Sequence, residues 1–493
     1  MIRRALVAAH RWLGVALSLN LLVWFVSGIG MMYWDFPSVS GADRLGRSSV
    51  LDGNAIRVSL PEAFDAAGFQ SADEVRLDTF DGRPVYRLRS GGTARIVYAD
   101  SREIRNSISR EQVDRIASRW VGRSMATATV RAVDEVDQWT VQLPLARLKP
   151  VWLYSWSDGE QVYVSQASGE VVQYTTRASR MGAYVGAIPH WLYVTPLRKN
   201  RSTWSRIVIG LSALATVVAV LGLTIGMWTF SPSARYRRGG IALRLPYRGW
   251  KRWHAVLGLI VGGGAITWAF SGMLSMDPFP LPGDPPQTED VESALHGTIE
   301  TAPFQSLSPQ AALVSLGKKV KQIECITTTD QSFYVVTLES GDSEIVGLSG
   351  TPRATLAAEH VATLVGAAVK PDDIADTRWL EQYDRYYLDR HHRRPLPVVL
   401  VQLADRDHTR FYIDPKTARL VGAYSARSWV TRWLYHGLHS LDFPWLYRYR
   451  PLWDVVVGAF MIGGTALCFT SLVLAWQTIG RTLSRRLAAD ESQ

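Results

Sequence analysis

Cysteine is nearly absent: Cys325 and Cys468 are the only two in 493 residues, and they share no metal-type spacing. This argues against a disulfide framework and against a cysteine-held zinc or iron–sulfur site; both residues read as small apolar side chains. No His-Glu-x-x-His or Gly-x-Ser-x-Gly pattern occurs, so no hydrolytic constellation is visible and no catalytic nucleophile or general acid is assigned. A nucleotide-binding fingerprint is also missing, which argues against direct oxidation of a nicotinamide nucleotide. Gly262-Gly-Gly264 lies inside an apolar run, where close helix packing explains it better than a phosphate loop. Charged residues make up only 20% of the chain against 47% hydrophobic, a balance that excludes uniform disorder.

What is present is concentrated. Four apolar runs, approximately Trp12–Tyr33, Ile207–Phe230, Ala255–Met276 and Val455–Trp476, are long enough to cross about 30 Å of hydrocarbon. The first exceeds a signal-peptide core and lacks a small-x-small cleavage site, so it reads as an uncleaved anchor. The 19 Trp and 19 Tyr suit membrane–water boundaries. Arg3, Arg4 and Arg11 precede the first run, and Arg481, Arg485 and Arg486 follow the fourth. Arg235, Arg237, Arg238, Arg244, Arg248, Lys251 and Arg252 lie between the second and third with no acidic residue among them. These three segments share a side, and the positive-inside rule makes it the cytoplasm. Arg198, Lys199, Arg201 and Arg206 before the second run dissent, but the stronger basic loop outweighs them. The net charge of +10 is therefore mostly a topology signal, with a lipid bilayer rather than nucleic acid as partner. Both termini are therefore expected on the cytoplasmic side and the two large loops on the outer side.

The chain repeats itself. His10-Arg-Trp-Leu-Gly14 corresponds to His254-Ala-Val-Leu-Gly258, Trp24 to Trp268, Ser27-Gly28 to Ser271-Gly272, and Phe36-Pro37 to Phe279-Pro280. Farther on, Asp137-Gln-Trp139 matches Asp384-Arg-Tyr386, Pro150 matches Pro397, His190-Trp-Leu192 matches His439-Ser-Leu441, and Trp204 matches Trp453. The unit of span, outer domain and span thus occurs twice, and a parallel duplication of this kind predicts a pseudo-two-fold axis along the membrane normal. Each outer loop reads as α+β, with helices at Leu60–Gly68, Arg110–Val121, Ser308–Leu316 and Ala357–Gly366. Strands such as Val85–Arg89, Val151–Trp156, Gln161–Ser165, Phe333–Thr337, Val398–Leu403 and Arg410–Ile413 accompany them, so each loop is expected to hold two small helix-on-sheet modules. The fold class is a four-span α-helical bundle with two α+β periplasmic domains. Its segments are 1–37 (first span), 38–190 (first domain), 191–230 (second span with lead-in) and 231–253 (basic loop), then 254–280 (third span), 281–435 (second domain), 436–478 (fourth span with lead-in) and 479–493 (tail).

Four of the ten histidines occupy repeat-equivalent places: His10 and His254 at the cytoplasmic starts of spans one and three, His190 and His439 just outside spans two and four. At 3.6 residues per turn, His10, Gly14, Trp24 and Gly28 fall on one helix face, as do His254, Gly258, Trp268 and Gly272. A plain packing seam is the simpler reading of one such stripe. Symmetric pairs at both faces favour paired imidazoles gripping haem iron, His10 with His254 and His190 with His439, hence one or two haem b groups. Zinc or copper on the same histidines is less well supplied, since no carboxylate or thiol stands nearby in sequence. His436 lies one helical turn before His439 and competes with it as ligand. His296, His360 and His408 read as ordinary domain residues. His391-His-Arg-Arg394 reads as a solvated basic turn or, alternatively, as a docking point for an anionic ligand or metal chelate.

His10-Arg-Trp-Leu-Gly with Trp24-Phe-Val-Ser-Gly28, Pro189-His-Trp-Leu-Tyr193, Trp253-His254 with Phe270-Ser-Gly-Met-Leu-Ser275, and Gly437-Leu-His-Ser-Leu-Asp-Phe-Pro444 before Arg450-Pro-Leu-Trp453 resemble the PepSY-associated transmembrane family, often labelled iron-regulated membrane proteins. The resemblance spans nearly the whole chain and implies four helices carrying two PepSY-type outer segments. Some members are inner-membrane haem proteins that reduce ferric siderophores in the periplasm. By resemblance His10, His190, His254 and His439 occupy motif positions, and the family pattern has Asn where this chain has His436. The expected activity is therefore a ferrisiderophore-reductase-type oxidoreductase. It would pass electrons from a quinol or cytoplasmic donor to a ferric siderophore or another periplasmic acceptor. Two other classes stay open: a haem-free PepSY-type binding or regulatory membrane protein, and an iron-uptake transport accessory. Intramembrane charges that would line an ion path are lacking, which ranks the accessory lower.

Overall fold

The computed structural model describes residues 1–105, 107–238, 241–279, 283–369, 373–389 and 391–490. Pro280, expected to close the third span, and the domain boundary drawn after it lie outside the described residues. Four helices are long and apolar enough to cross a membrane: Ile2–Met31, Arg201–Thr229, Gly249–Leu274 and the part of Arg450–Asp490 that ends at Thr482. Each begins earlier than the apolar run, because Lys and Arg at the ends are good helix formers and extend the helix beyond its hydrophobic core. His10 and His254 consequently sit within helices rather than ahead of them. Large apolar side chains such as Leu19, Val217, Ile260 and Ile462 point outward uncovered, as lipid-facing positions do. Threonines inside the helices donate their hydroxyl protons to carbonyls one turn back, Thr216 to Ser212 and Thr465 to Met461, both at 2.8 Å, so these hydroxyls are satisfied within their own helices.

The first long helix packs along the fourth and the second along the third. Contact is close where side chains vanish. Gly30 meets the backbone of Gly186, and a Cβ there would lie 2.9 Å from the Gly186 Cα.

Outside the bundle the structure departs from two independent modules per loop. Strands Glu74–Phe80, Arg83–Ser90 and Thr93–Tyr98 of the first loop join Val320–Thr327, Ser332–Leu338, Ser343–Gly347 and Pro352–Arg353 of the second in one seven-stranded antiparallel sheet. The seam pairs Val75 with Cys325 and Leu77 with Ile323. Its core mixes both loops, with Phe64, Val75 and Leu77 against Ile323, Tyr334 and Val336. Cys325 is buried there and Cys468 in the bundle, both as free thiols. Each loop then forms its own four-stranded antiparallel sheet: Thr129–Ala132, Val151–Ser155, Gln161–Ser165 and Glu170–Thr175, and Ile374–Leu380, Val398–Leu403, Arg410–Asp414 and Arg419–Tyr424.

Matching local devices recur in the two four-stranded units. Asp137 accepts from the backbone N–H of Trp139 and the Tyr163 hydroxyl; Asp384 accepts from the N–H of Tyr386 and the Tyr412 hydroxyl. Pro150 and Pro397 both follow cis peptide bonds. Leu192 and Leu441 both adopt the left-handed conformation, at φ 53° and 50°. The indoles of Trp204 and Trp453 donate to the carbonyls of Trp191 and Ser440 at 2.8 and 2.9 Å. These last two devices fix the turns that deliver His190 and His439 to the bundle.

Candidate functional site

Two cavities lie between the long helices, of about 510 and 420 Å³, within the size range of small-molecule sites. The first, near the basic loop, is lined by His10 and His254 and the second, near the extramembrane domains, by His190 and His439. Leu21, Phe25 and Ala265 border both and form the wall between them. Phe25 is buried against Trp268, edge to face at 5.9 Å.

The imidazoles meet in the expected pairs. Ring centroids are 6.1 Å apart for His10 and His254, with the planes at 42°, and 6.2 Å apart for His190 and His439, at 63°. A ring centroid lies about 1.1 Å from its nitrogen, and an imidazole nitrogen sits about 2.0–2.1 Å from a bound first-row metal, so two imidazoles on opposite sides of one ion have centroids about 6.3 Å apart. Both pairs come close to that spacing.

The hydrogen-bond network selects the tautomer. His10 Nδ1 faces the Val218 carbonyl at 3.0 Å. His254 Nδ1 lies 3.1 Å from the Thr470 hydroxyl, which itself donates to the Leu467 carbonyl at 2.7 Å. His190 Nδ1 is 3.2 Å from both the Ser27 hydroxyl and the Trp24 carbonyl. His439 Nδ1 is 3.0 Å from the Ser271 hydroxyl. Ser27 and Ser271 in turn donate to the carbonyls of Trp24 and Trp268 at 3.2 and 3.3 Å. A carbonyl can only accept, and a hydroxyl already committed to one accepts the next bond. Nδ1 of His10 and His190, each facing a carbonyl, must therefore carry the proton, and the same tautomer suits His254 and His439 while their hydroxyl partners donate to carbonyls; it leaves the Nε2 lone pair for coordination. Ser27, Ser271 and Thr470 were not assigned this role from sequence. The visible signal was a serine directly before the repeated glycine.

The glycines do different jobs at the two sites. Gly14 and Gly258 line the basic-end cavity, and a Cβ at either would meet only distant atoms, at 3.9 and 3.8 Å; they leave an open floor against which a flat ring can lie. A Cβ at Gly28 or Gly272 would lie 3.6 or 3.5 Å from the Cε1 atom of His190 or His439, and at Gly28 also 3.0 Å from the Met461 sulfur. Gly222 is tighter, its notional Cβ only 2.7 Å from the His10 Cε1. Trp24 and Trp268 border the domain-end cavity, and their buried indole N–H groups have no partner among the described residues.

His436 is placed differently from the other four. It does not line the domain-end cavity; its Nδ1 faces Asp442 at 3.7 Å and its side chain is half exposed. His439 is the partner that faces His190. The basic turn closes on Asp389, whose carboxylate accepts from the backbone N–H groups of His391, Arg393 and Arg394, while Arg393 pairs with Asp35 at 3.0 Å. His296 bonds the Thr417 carbonyl and His360 bonds Gln331, both within the domains. Among the described residues no group of three or more His, Cys, Asp or Glu is placed to hold a metal ion, so the donor sets are pairs of neutral imidazoles. Such a pair completes an octahedral iron whose other four positions are filled by a macrocycle. The residues fit a bis-imidazole haem in pair spacing, tautomer and glycine-floored volume. No family model and no curated protein matches the chain.

Proposed function

We propose that this chain is a membrane protein of the PepSY-associated transmembrane type. It would hold one haem b between His10 and His254 and a second between His190 and His439, and it would reduce a ferric chelate on the periplasmic side. The resemblance rests on the motif residues. The cofactor reading is carried by one observation: two imidazole pairs, each at the separation one iron requires, each with Nδ1 held by an acceptor. A parallel duplication would explain why the same devices appear twice. By the positive-inside rule the basic loop supports a topology with both termini in the cytoplasm; in the bacterial inner membrane that the resemblance implies, the sheets outside the bundle would then face the periplasm.

Bound haem supplies reversible one-electron chemistry. The chain supplies the rest. His10, His254, His190 and His439 set ligand type and orientation. Val218, Thr470, Ser27 and Ser271 hold the imidazoles in the coordinating tautomer. Leu21, Phe25 and Ala265 separate the two sites with apolar side chains. The substrate step is Fe(III) plus one electron giving Fe(II), with a quinol or another cytoplasmic-side reductant as source. A siderophore grips Fe(III) far more tightly than Fe(II), so this single transfer releases the metal with no nucleophile or proton donor.

The purified protein is expected to show a Soret band and a pyridine haemochrome of b type at two per chain. A preparation without a Soret band, before and after haem supplementation, would end the cofactor proposal. Reduction of a ferric siderophore by dithionite-reduced protein, followed by Fe(II) capture, tests the substrate.

A further inference from the structure

The two helical lead-ins to the histidines of the domain-end cavity differ in one respect that packing does not explain. They align at both ends. Thr176 and Ser179 form the N-terminal cap of one, Ser425 and Ser428 that of the other, and both close in the left-handed turns at Leu192 and Leu441. Between these anchors, Ala183 and Ala187 of the first lead-in are fully buried in an apolar core. Their counterparts in the second are Arg432 and His436.

Arg432 is only 6% exposed. One guanidinium nitrogen donates to the Asp442 carbonyl at 2.9 Å, but Nη1 has no partner among the described residues, and no carboxylate there lies within ion-pair distance. A buried guanidinium with an open nitrogen is costly unless something anionic completes it. Other cations add to it. Partial burial, and then the fields of Arg432 and Arg394, hold the half-exposed His436 imidazole below its usual range. Arg394 donates to the Tyr424 hydroxyl at 2.9 Å. The carboxylate of nearby Asp442 accepts from Tyr447 and faces His436. The backbone also changes: Arg432–Gly437 is a π-helical turn, a form that recurs at functional sites. The first lead-in instead breaks at Gly186.

We propose that Arg432, with Arg394 beside it, forms a carboxylate-binding site next to the domain-end cavity. The planar guanidinium fork matches a carboxylate. That carboxylate has two chemical sources. It is either a propionate of haem in the adjoining cavity, whose lining among the described residues contains no Arg or Lys, or an acid group of a soluble ferric chelate. The first source rests on the haem reading above; the second does not.

The test uses the purified full chain in detergent, with Arg432→Met and Arg432→Lys variants, titrated with citrate and with the redox-inert Ga(III)–citrate complex. Binding by the parent protein that weakens at least tenfold in R432M and is partly restored in R432K establishes the site and assigns it to soluble chelates. Absence of citrate binding, with loss or a potential shift of one haem in R432M and a smaller change in R432K, establishes it as a propionate site. Should R432M fail to accumulate, Arg394→Gln at its exposed position gives the same comparison. Unchanged citrate titration and unchanged haem in R432M, with thermal stability equal or higher, would overturn the site. A protein without haem defeats the electron-transfer proposal yet leaves the citrate titration readable, and no citrate binding in that protein would also overturn the site.

Discussion

The two cavities share a centre and differ in their walls. Both hold imidazoles about 6 Å apart, yet the basic-end cavity is walled by glycines, Gly14, Gly222, Gly226, Gly258 and Gly262, with Arg11, Lys251 and Arg481 in its lining. The domain-end cavity is walled by Trp24, Trp191, Trp204, Trp268 and Trp453, and among the described residues Asp35 is its one acidic or basic lining residue apart from histidine. Pair geometry therefore does not depend on the wall. It is set by the Nδ1 acceptors, which lie on a neighbouring helix at each site and fix each ring from behind. The wall is left free to adjust polarity and access, so two cavities with one imidazole geometry can differ at the two ends of one molecule.

The sharpest way to break the comparison is to remove one pair at a time. His10→Ala with His254→Ala is expected to halve the haemochrome-to-protein ratio, and His190→Ala with His439→Ala to halve it by removing the other centre. Loss of both centres from either double variant would show that the sites are not independent. Next in size is a contrast between glycines. Gly222→Ala places a methyl group 2.7 Å from the His10 ring carbon, closer than real contacts allow, and is expected to empty the basic-end site. Gly272→Ala meets His439 at an ordinary 3.5 Å and is expected to leave haem content within error of the parent. The serines come third. Ser271→Ala removes the hydroxyl that holds His439, and losing such a support costs about 10–100-fold in metal affinity. Ser27→Ala should cost less, because His190 keeps the Trp24 carbonyl. Haem transfer to apomyoglobin measures both.

Legibility from sequence followed the range of the interactions. His10, Gly14, Trp24 and Gly28 could be placed on one face because helical period is local, and the same stretch read twice identified the partners. The strand Gln161–Ser165 and helix Arg110–Val121 were also readable, since each carries its own pattern or cap. The seven-stranded sheet was not. Glu74–Phe80 and Val320–Thr327 pair across about half the length of the chain, and nothing in either strand marks its partner. Carbonyl acceptors such as Val218 leave no trace in a side-chain alphabet. Arg432 was overlooked because an arginine near a membrane boundary is ordinary; only its burial at 6% exposure makes it unusual.

The smallest effect expected concerns charge at the basic-end mouth. Arg11, Lys251 and Arg481 line that cavity but are exposed, so water and ions screen them strongly. A cation near a haem favours its reduced form, because reduction adds negative charge. Removing one should therefore lower the potential of the basic-end centre and leave the domain-end centre in place. An exposed charge is worth at most about 1 kcal/mol, which for one electron is about 40 mV. Arg11→Gln and Arg481→Gln should each show a decrease no larger than this in a spectroelectrochemical titration at low salt. The same titration in 0.5 M salt should erase most of it, since the Debye length falls to about 4 Å. A larger shift that survives salt would mean the mouth is drier than its exposure indicates. A shift in the domain-end centre instead would mean that the apolar wall of Leu21, Phe25 and Ala265 does not insulate the two sites, and that the difference between their walls carries no functional weight.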